Sequence, residues 1–433
     1  MKIAHVIPGS GGSFYCGNCL RDSKSMRALQ ALGQEVVKVP LYLPLFEDGH
    51  DLNEVPVFYG AVDIYLKQRF PVFRHMPAFV DKMLNSKSVL HLAAQNAGST
   101  RAKGLEEMTV SMLLGEEGLQ QDELERLVAW LRDEARPDVV HLSNALLLGL
   151  ARRIKQEMNI PVVCSLQDED VWVDVMSDQH REEVWQLMTE RGHEVDAFVA
   201  VSDFYATVMR KRMQIRPEQL FINHIGVDAS DYSVRPVDQK EPMIGYISRM
   251  CEENGLGVLI DAFVELKKET RFDVVKLKIT GGKTNDDTDF IRHQKKKLVS
   301  AGIESDVLWV EEFEGPSRQE FFDSVALLTV PVLKGEAFGL YLLEALASGI
   351  PIVQPALGAF PEIIDLSEGG MTYQDNTSEC LANTWKSIIL DKEKLAAYSA
   401  KGLEGVRTHF DVRQQAEKLV DIYARTVKSS IVR

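Results

Sequence analysis

Short apolar runs rich in β-branched residues recur along this chain, and each is followed by a longer stretch whose apolar positions return every three or four residues. The runs are too short for helices and predict buried strands, while the stretches between them predict amphipathic helices. Strand candidates in the first half are KIAHVIP (2–8), EVVKVPLY (35–42), DVVHLS (138–143), PVVCSL (161–166), AFVAVS (197–202) and LFINHIG (220–226). The rhythm resumes with MIGYIS (243–248), VKLKITG (275–281), VLWVEE (307–312), VALLTVPV (325–332) and PIVQP (351–355). Strands alternating with helices predict an α/β protein built on parallel, doubly wound sheets. SVRPVDQKEP (233–242), polar and with two prolines, predicts a linker between two such domains. The expected organisation is a first domain over 1–232, a second over 233–409 and a final segment over 410–433. Ligands of doubly wound sheets sit beyond the carboxyl ends of the strands, so a cleft between two sheets suits a reaction of two substrates.

Residues 43–130 break the strand–helix rhythm and predict a helical insertion in the first domain. Within 61–100, Lys67, Arg69, Arg74, Lys82 and Lys87 outnumber Asp63 and Asp81, with Tyr65, Phe70, Phe73 and Phe79 between them. Such a patch suits peripheral contact with an anionic membrane or a charged acceptor. A helical subdomain that buries its aromatics and solvates its lysines is the simpler reading, and the one this pattern favours.

A formal charge of −15 argues against a nucleic-acid binder, which needs a positive face to displace counterions, although local patches can still be basic. Five widely spread cysteines are no disulfide framework and fit a reducing compartment. The amino terminus lacks the apolar core of a signal peptide and no run is long enough to span a membrane, so a cytoplasmic protein is expected.

Several familiar motifs fail on inspection. The opening PGSGGSFYCGNCLRDS (8–23) is not a dinucleotide fingerprint, because Phe14 stands where its last glycine belongs. GGKT (281–284) imitates the end of a phosphate-binding P-loop, yet Leu277 occupies the first glycine position. The pair Cys16–Cys19 has no second pair to complete a zinc site, and no metal is expected. The segment PVLKGEAFGLYLLEALASGIPIV (331–353) is different. A strand ends, a turn of small residues follows, and a helix runs from about Gly339 to Ser348 before Gly349 and Pro351 stop it. The free amides at its start, near Phe338, Gly339 and Leu340, suit an anion such as a diphosphate. Glu336 precedes the helix and Glu344 lies about two turns along it.

This Glu-x7-Glu segment resembles the retaining GT-B glycosyltransferases of the GT4 class. VSDFY (201–205), HIGVD (224–228), IGYISRMCEENGLGVLIDAF (244–263) and GAFPEII (358–364) are similar to other landmarks of that family, in the same order. FDVRQQAEKLVDIY (410–423) resembles its last helix, which returns to the first domain. The resemblance implies a GT-B fold of two Rossmann-like domains facing across a cleft, and transfer of a sugar from a nucleotide-diphosphate donor with retention and no metal or other cofactor. It implies that Glu336 contacts donor-sugar hydroxyls, that Glu344 contacts the ribose, and that the Phe338, Gly339 and Leu340 amides meet sugar and phosphate. It implies further that Arg249 neutralises the departing diphosphate, which suits an oxocarbenium-like transition state. Gly11 and Gly12 resemble the Gly-Gly of the first strand-to-helix turn, where bare backbone approaches donor or acceptor.

Two positions depart from the pattern. Asn254 stands where the family has a second phosphate-binding lysine, and Lys283 or Lys334 is the candidate to replace its charge. Gln167 stands where a histidine contacts the donor sugar; it can hydrogen-bond a hydroxyl but cannot titrate. Asp168, in the acidic run that follows, is the candidate electrostatic partner or proton acceptor. The acceptor, whether carbohydrate, lipid or another small molecule, is left open. A GT-B phosphorylase, a nucleotide-sugar epimerase and a sugar-nucleotide-binding protein without turnover are the competing readings. A thiol oxidoreductase would rest on Cys16–Cys19 alone, where loop-shaping cysteines are the simpler account.

Overall fold

Every run marked above as a strand contains one in the structure, a computed structural model that describes residues 1–8, 17–41, 104–313 and 315–431. Gly11, Gly12, Cys16 and the 61–100 patch lie outside the described residues; Cys19 falls in the first turn of the helix Gly17–Ala31. Of the expected insertion, the described part holds the helices Glu106–Leu114 and Gln121–Trp130.

Two compact units form, Met1–His224 with Gln415–Arg433, and Ile225–Gln414. Within the described residues each holds a six-stranded sheet whose strands pair in parallel. In the first, β1 (Lys2–Ile7), β2 (Glu35–Pro40), β3 (Val139–Leu142), β4 (Val162–Leu166), β5 (Ala197–Ala200) and β6 (Leu220–Ile222) lie in the order β2-β1-β3-β4-β5-β6. In the second, β7 (Met243–Ile247), β8 (Lys276–Thr280), β9 (Val307–Val310), β10 (Leu327–Leu328), β11 (Ile352–Pro355) and β12 (Gly370–Tyr373) lie in the order β12-β11-β10-β7-β8-β9. The twelfth strand, GMTY, escaped the pattern because it is short and opens on glycine. The strand order reverses between β1 and β3 and between β10 and β7, and these are the points at which doubly wound sheets bind ligands. The expected linker 233–242 lies inside the second unit, where Ser233 Oγ donates to Asp323 and Lys240 Nζ donates to the carbonyls of Phe322 and Val325.

The last helix, Val412–Ile431, runs into the first unit, where Leu419, Ile422 and Tyr423 join Ile3, Val139 and Val163 in one apolar cluster. Leu419 and Ile422 each contribute roughly 1.5–3 kcal/mol by leaving water. Two residues further along the same sheet face the character changes. His5 and His141, paired in register, stack with ring centroids 4.5 Å apart. His141 hydrogen-bonds Tyr423 through Nδ1 and Ser165 Oγ through Nε2 at 2.8 Å. Burial, helped by the charges of Arg21 and Lys38, pushes the His5 imidazole down to about 3, and burial with His5 holds His141 well below its usual range.

Acid should therefore weaken the first unit. Below pH 6.5 the unfolded chain protonates both histidines and the folded chain does not, so stability is full above that pH and falls beneath it. Glu169, whose carboxyl burial raises from 4.5 to about 7, opposes this with one proton, because its contribution is full at low pH and declines as pH rises. Two histidines outweigh the one carboxyl, leaving a net loss of stability as pH falls from 6.5 toward 4.5. Urea midpoints across that range measure it. His5→Leu should flatten the slope, and an unchanged slope would contradict this account.

Candidate functional site

In the second unit the loops that leave the carboxyl ends of β7, β8, β10 and β11 are tied to one another by backbone contacts. Met250 N donates to Gly282 O at 2.8 Å, Leu333 N to Glu253 O at 2.9 Å, and Ala359 N to Glu336 O at 3.0 Å. The first joins the loops after β7 and β8, the second those after β7 and β10, and the third those after β10 and β11. Gly335 and Gly358, both at positive φ, bring the loops after β10 and β11 into close approach. A Cβ on Gly358 would stand 2.5 Å from both Glu336 N and Glu336 O. This is why GEAFG and LGAFPE need glycine: each backbone fills the space where the other's side chain would be.

These contacts place Glu336 beside the helix Leu340–Ala347. Its Oε1 accepts from Tyr341 Oη at 3.0 Å, and its Oε2 lies 3.4 Å from where a Cβ on Gly339 would be. Gly339, at φ 107°, turns the chain into the helix, whose first amides have no side-chain cap. An uncapped amino end at a sheet's switch point is suited to an anion. Phe338 is buried with its ring edge-on to Phe410, which anchors the turn from below.

Arg249, in the loop after β7, is held from behind. Its Nε and Nη2 meet the two oxygens of Asp287 at 3.1 and 3.0 Å, and Nη2 also reaches Thr284 Oγ1 at 3.1 Å. Burial alone would raise the Asp287 carboxyl, but hydrogen bonds from Arg249 and Thr284 outweigh it and hold the group below its usual range. This fork fixes the guanidinium plane and cancels its net charge. Tyr246, buried on β7, donates its hydroxyl to Arg249 O at 2.8 Å and so pins the same loop. Neither Asp287 nor Tyr246 was legible as a site residue: Asp287 meets Arg249 across 38 residues, and Tyr246 acts on a backbone oxygen, which leaves no mark in the sequence.

The remaining candidates fall in different places. Asn254 closes its own loop, donating Nδ2 to Ser248 Oγ at 2.8 Å. Lys283 pairs with Glu311 at 2.9 Å on the surface, and Lys334 is exposed beyond β10. Glu344 is not open on the helix surface but 1% exposed, in a forked pair with Arg318 and accepting from Tyr232 Oη at 3.1 Å.

In the first unit Gln167 follows β4 and is 5% exposed. Its Nε2 donates to Ser143 O at 2.6 Å, which leaves Oε1 buried without a partner. Asp168 adopts a left-handed backbone conformation, φ 57°, at the start of the short helix Glu169–Val173. The buried carboxyl of this acidic run is its neighbour Glu169, which accepts from Ala145 N, Gln167 N and Tyr205 Oη. Among the described residues no three His, Cys, Asp or Glu side chains are grouped as a metal site, and no helix is long and apolar enough to cross a membrane.

Two doubly wound units with these sheet orders define the GT-B class. Solved structures share the fold along nearly the whole chain. Anabaena HepE aligns with a TM-score of 0.68 at 15% identity, over 98% of this chain and 100% of its own. The sucrose-phosphate synthase of Thermosynechococcus elongatus aligns with a TM-score of 0.72 at 16% identity, over 99% of each. Within that class the chain belongs to the glycosyltransferase family 4, group 1 lineage: the Glycosyltransferase Family 4 model matches residues 112–231 and the Glycosyl transferases group 1 model residues 241–391. Curated relatives include the lipopolysaccharide core biosynthesis mannosyltransferase LpsB of Rhizobium meliloti, 25% identical over 43% of this chain and 52% of that protein. The phosphatidyl-myo-inositol mannosyltransferase of Mycobacterium leprae is 27% identical over 47% of this chain and 53% of its own. The chain spans about half the length of the curated relatives it matches.

Proposed function

We propose that this protein transfers a sugar, with retention and without a metal, from a nucleotide-diphosphate donor held by the second unit to a carbohydrate or lipid acceptor taken by the first. The observation that carries the reading is that Arg249, Glu336 and the uncapped start of Leu340–Ala347 stand on loops tied together by backbone bonds at one switch point. In this assignment the helix amides and Arg249 stabilise negative charge on the departing diphosphate as the glycosidic bond loosens. Glu336, oriented by Tyr341, accepts hydrogen bonds from the sugar hydroxyls. Gln167 Oε1 and Asp168 are assigned to hydroxyls of the reacting sugars. Anabaena HepE has been solved with UDP and with UDP-glucose, and several relatives are mannosyltransferases of lipopolysaccharide or phosphatidylinositol, which supports both halves of the reading.

A thermal-shift screen of nucleoside diphosphates and their sugars tests the donor half, because ligand bound to the folded state raises Tm by mass action. Transfer is then followed with the donor that binds. Glu336→Gln is expected to lower kcat on the order of 10²-fold while the Tm without ligand stays within a degree or two. Asn254 and the neutralised Arg249–Asp287 pair favour one second reading, a sugar-nucleotide-binding protein without turnover. Donor binding with no transfer to lipid or saccharide acceptors would select it, and no binding at all would sink both.

A further inference from the structure

At the carboxyl end of the first sheet, one hydroxyl stands between two carboxylates. Tyr205 Oη lies 2.8 Å from Glu169 Oε2 and 2.9 Å from Asp170 Oδ1. A phenol has a single proton and can donate it to only one of them. Were both carboxyls ionised, the second oxygen would face the hydroxyl's lone pairs across hydrogen-bond distance. A second proton on the cluster removes that conflict. Glu169 Oε2–H then donates to Tyr205 Oη, whose own proton goes to Asp170 Oδ1. Glu169 is the member to carry the added proton, being 1% exposed, whereas Asp170 is only half-buried.

Among the described residues the hydrogen bonds to Glu169 come from backbone amides and the Tyr205 phenol, and none from a cation. Asp168 and Asp170 flank Glu169 in sequence, Cys164 on β4 feels its charge, and Tyr205 comes from the helix Asp203–Met213. The cation coupled to Asp170 and Tyr205 is Arg212, which is already bonded to Asp174 at 2.7 Å. Burial raises the Glu169 carboxyl to about 7 against the hydrogen bonds it accepts, in agreement with the proton count.

We propose that Glu169, Tyr205 and Asp170 share one added proton at neutral pH, and that Glu169 acts through it as a positioning residue for Gln167. This rests on the assignment of Gln167 to the site, under the function proposed above. Glu169 Oε1 accepts from Ala145 N at 2.9 Å and Oε2 from Gln167 N at 2.7 Å, so one carboxyl ties the loop after β3 to the loop after β4. When the proton leaves for solvent, Tyr205 turns its O–H to Glu169 and Asp170 loses that bond. The charge on Glu169 then strengthens the bonds from both amides, since bonds to an ionised acceptor are roughly twice as strong. Gln167, whose Nε2 already fixes its amide on Ser143 O, is drawn tight as pH rises through neutrality.

The test is a carbon-13 NMR titration of side-chain carboxyls in the full chain labelled at glutamate, with the Gln167 side-chain amide followed in parallel. Neither measurement needs a donor, so the outcome is independent of whether transfer is found. One carboxyl resonance should titrate near pH 7 and be missing from Glu169→Gln. Asp170→Asn should move it down, by removing a negative neighbour and freeing the tyrosine proton for Glu169. Tyr205→Phe should move it up, by removing a donor to the ionised form. These two variants carry the test if Glu169→Gln does not fold. The Gln167 amide shift should follow the same curve. An ordinary titration below pH 5, or an Asp170→Asn variant that leaves the midpoint in place, overturns the shared proton. A Gln167 amide that ignores the titration overturns the positioning role.

Discussion

Glu344→Ala is expected to destabilise the second unit by about 3–5 kcal/mol, a fall in Tm on the order of 10 °C. The carboxylate is 1% exposed, and the Arg318 side chain that forks onto it is 11% exposed. The helix Pro316–Ser324, which carries Arg318, and the helix Leu340–Ala347 are therefore joined by a desolvated ion pair. Truncating Glu344 takes a carboxylate away from a largely desolvated guanidinium, and that penalty exceeds the net worth of the pair itself. Tyr232 loses an acceptor in the same change. The double variant Glu344→Leu with Arg318→Met should regain most of the loss, because apolar side chains of similar volume need no countercharge. Thermal or urea unfolding of the three variants decides the matter. A Glu344→Ala protein as stable as the parent would show that the pair contributes nothing. A ligand hydroxyl that meets Glu344 must approach a carboxylate with at least three hydrogen bonds already made.

Gly358→Ala should cost stability and donor binding together. At φ +60° an alanine meets left-handed strain of roughly 1–2 kcal/mol, and its Cβ would lie 2.5 Å from Glu336 N and O. Backbone cannot yield as the tip of a flexible side chain can, so the loop 335–339 must shift, carrying Glu336 and the start of the helix with it. Donor affinity is expected to fall more than 10-fold, since misplacing site groups by an ångström is costly even where the fold survives. Gly302→Ala is the control. It has φ +70° with nothing within 4 Å of the added carbon, so it carries the strain without the collision. Loss of affinity in Gly358→Ala alone assigns the effect to displacement of Glu336. Equal behaviour of the two variants would reject it.

Much of the fold was legible because burial on both faces makes a parallel strand a continuous apolar run, readable without its neighbours. Eleven such runs were recognised, while the short, glycine-led β12 was not. The turn at Glu336 to Leu340 was legible for a related reason. A chain that must approach another backbone closely shows it in its own small residues. Gln167 could be named from its position after β4, but the arrangement that fixes its amide could not, because Ser143 lies 24 residues away.

Strand alternation, helix stops and close-approach glycines are local rules written in consecutive residues, and they carried the α/β class, the strand and helix positions and the loop at Glu336. What each charged group does was settled by folding, because desolvation and pairing depend on residues far apart in the chain. Glu344 reads as an open helix carboxylate until Arg318 buries it, and Arg249 reads as a free cation until Asp287 takes two of its donors. Glu169 is one acid among three in a row until Tyr205, 36 residues on, is laid against it and the interior removes its water.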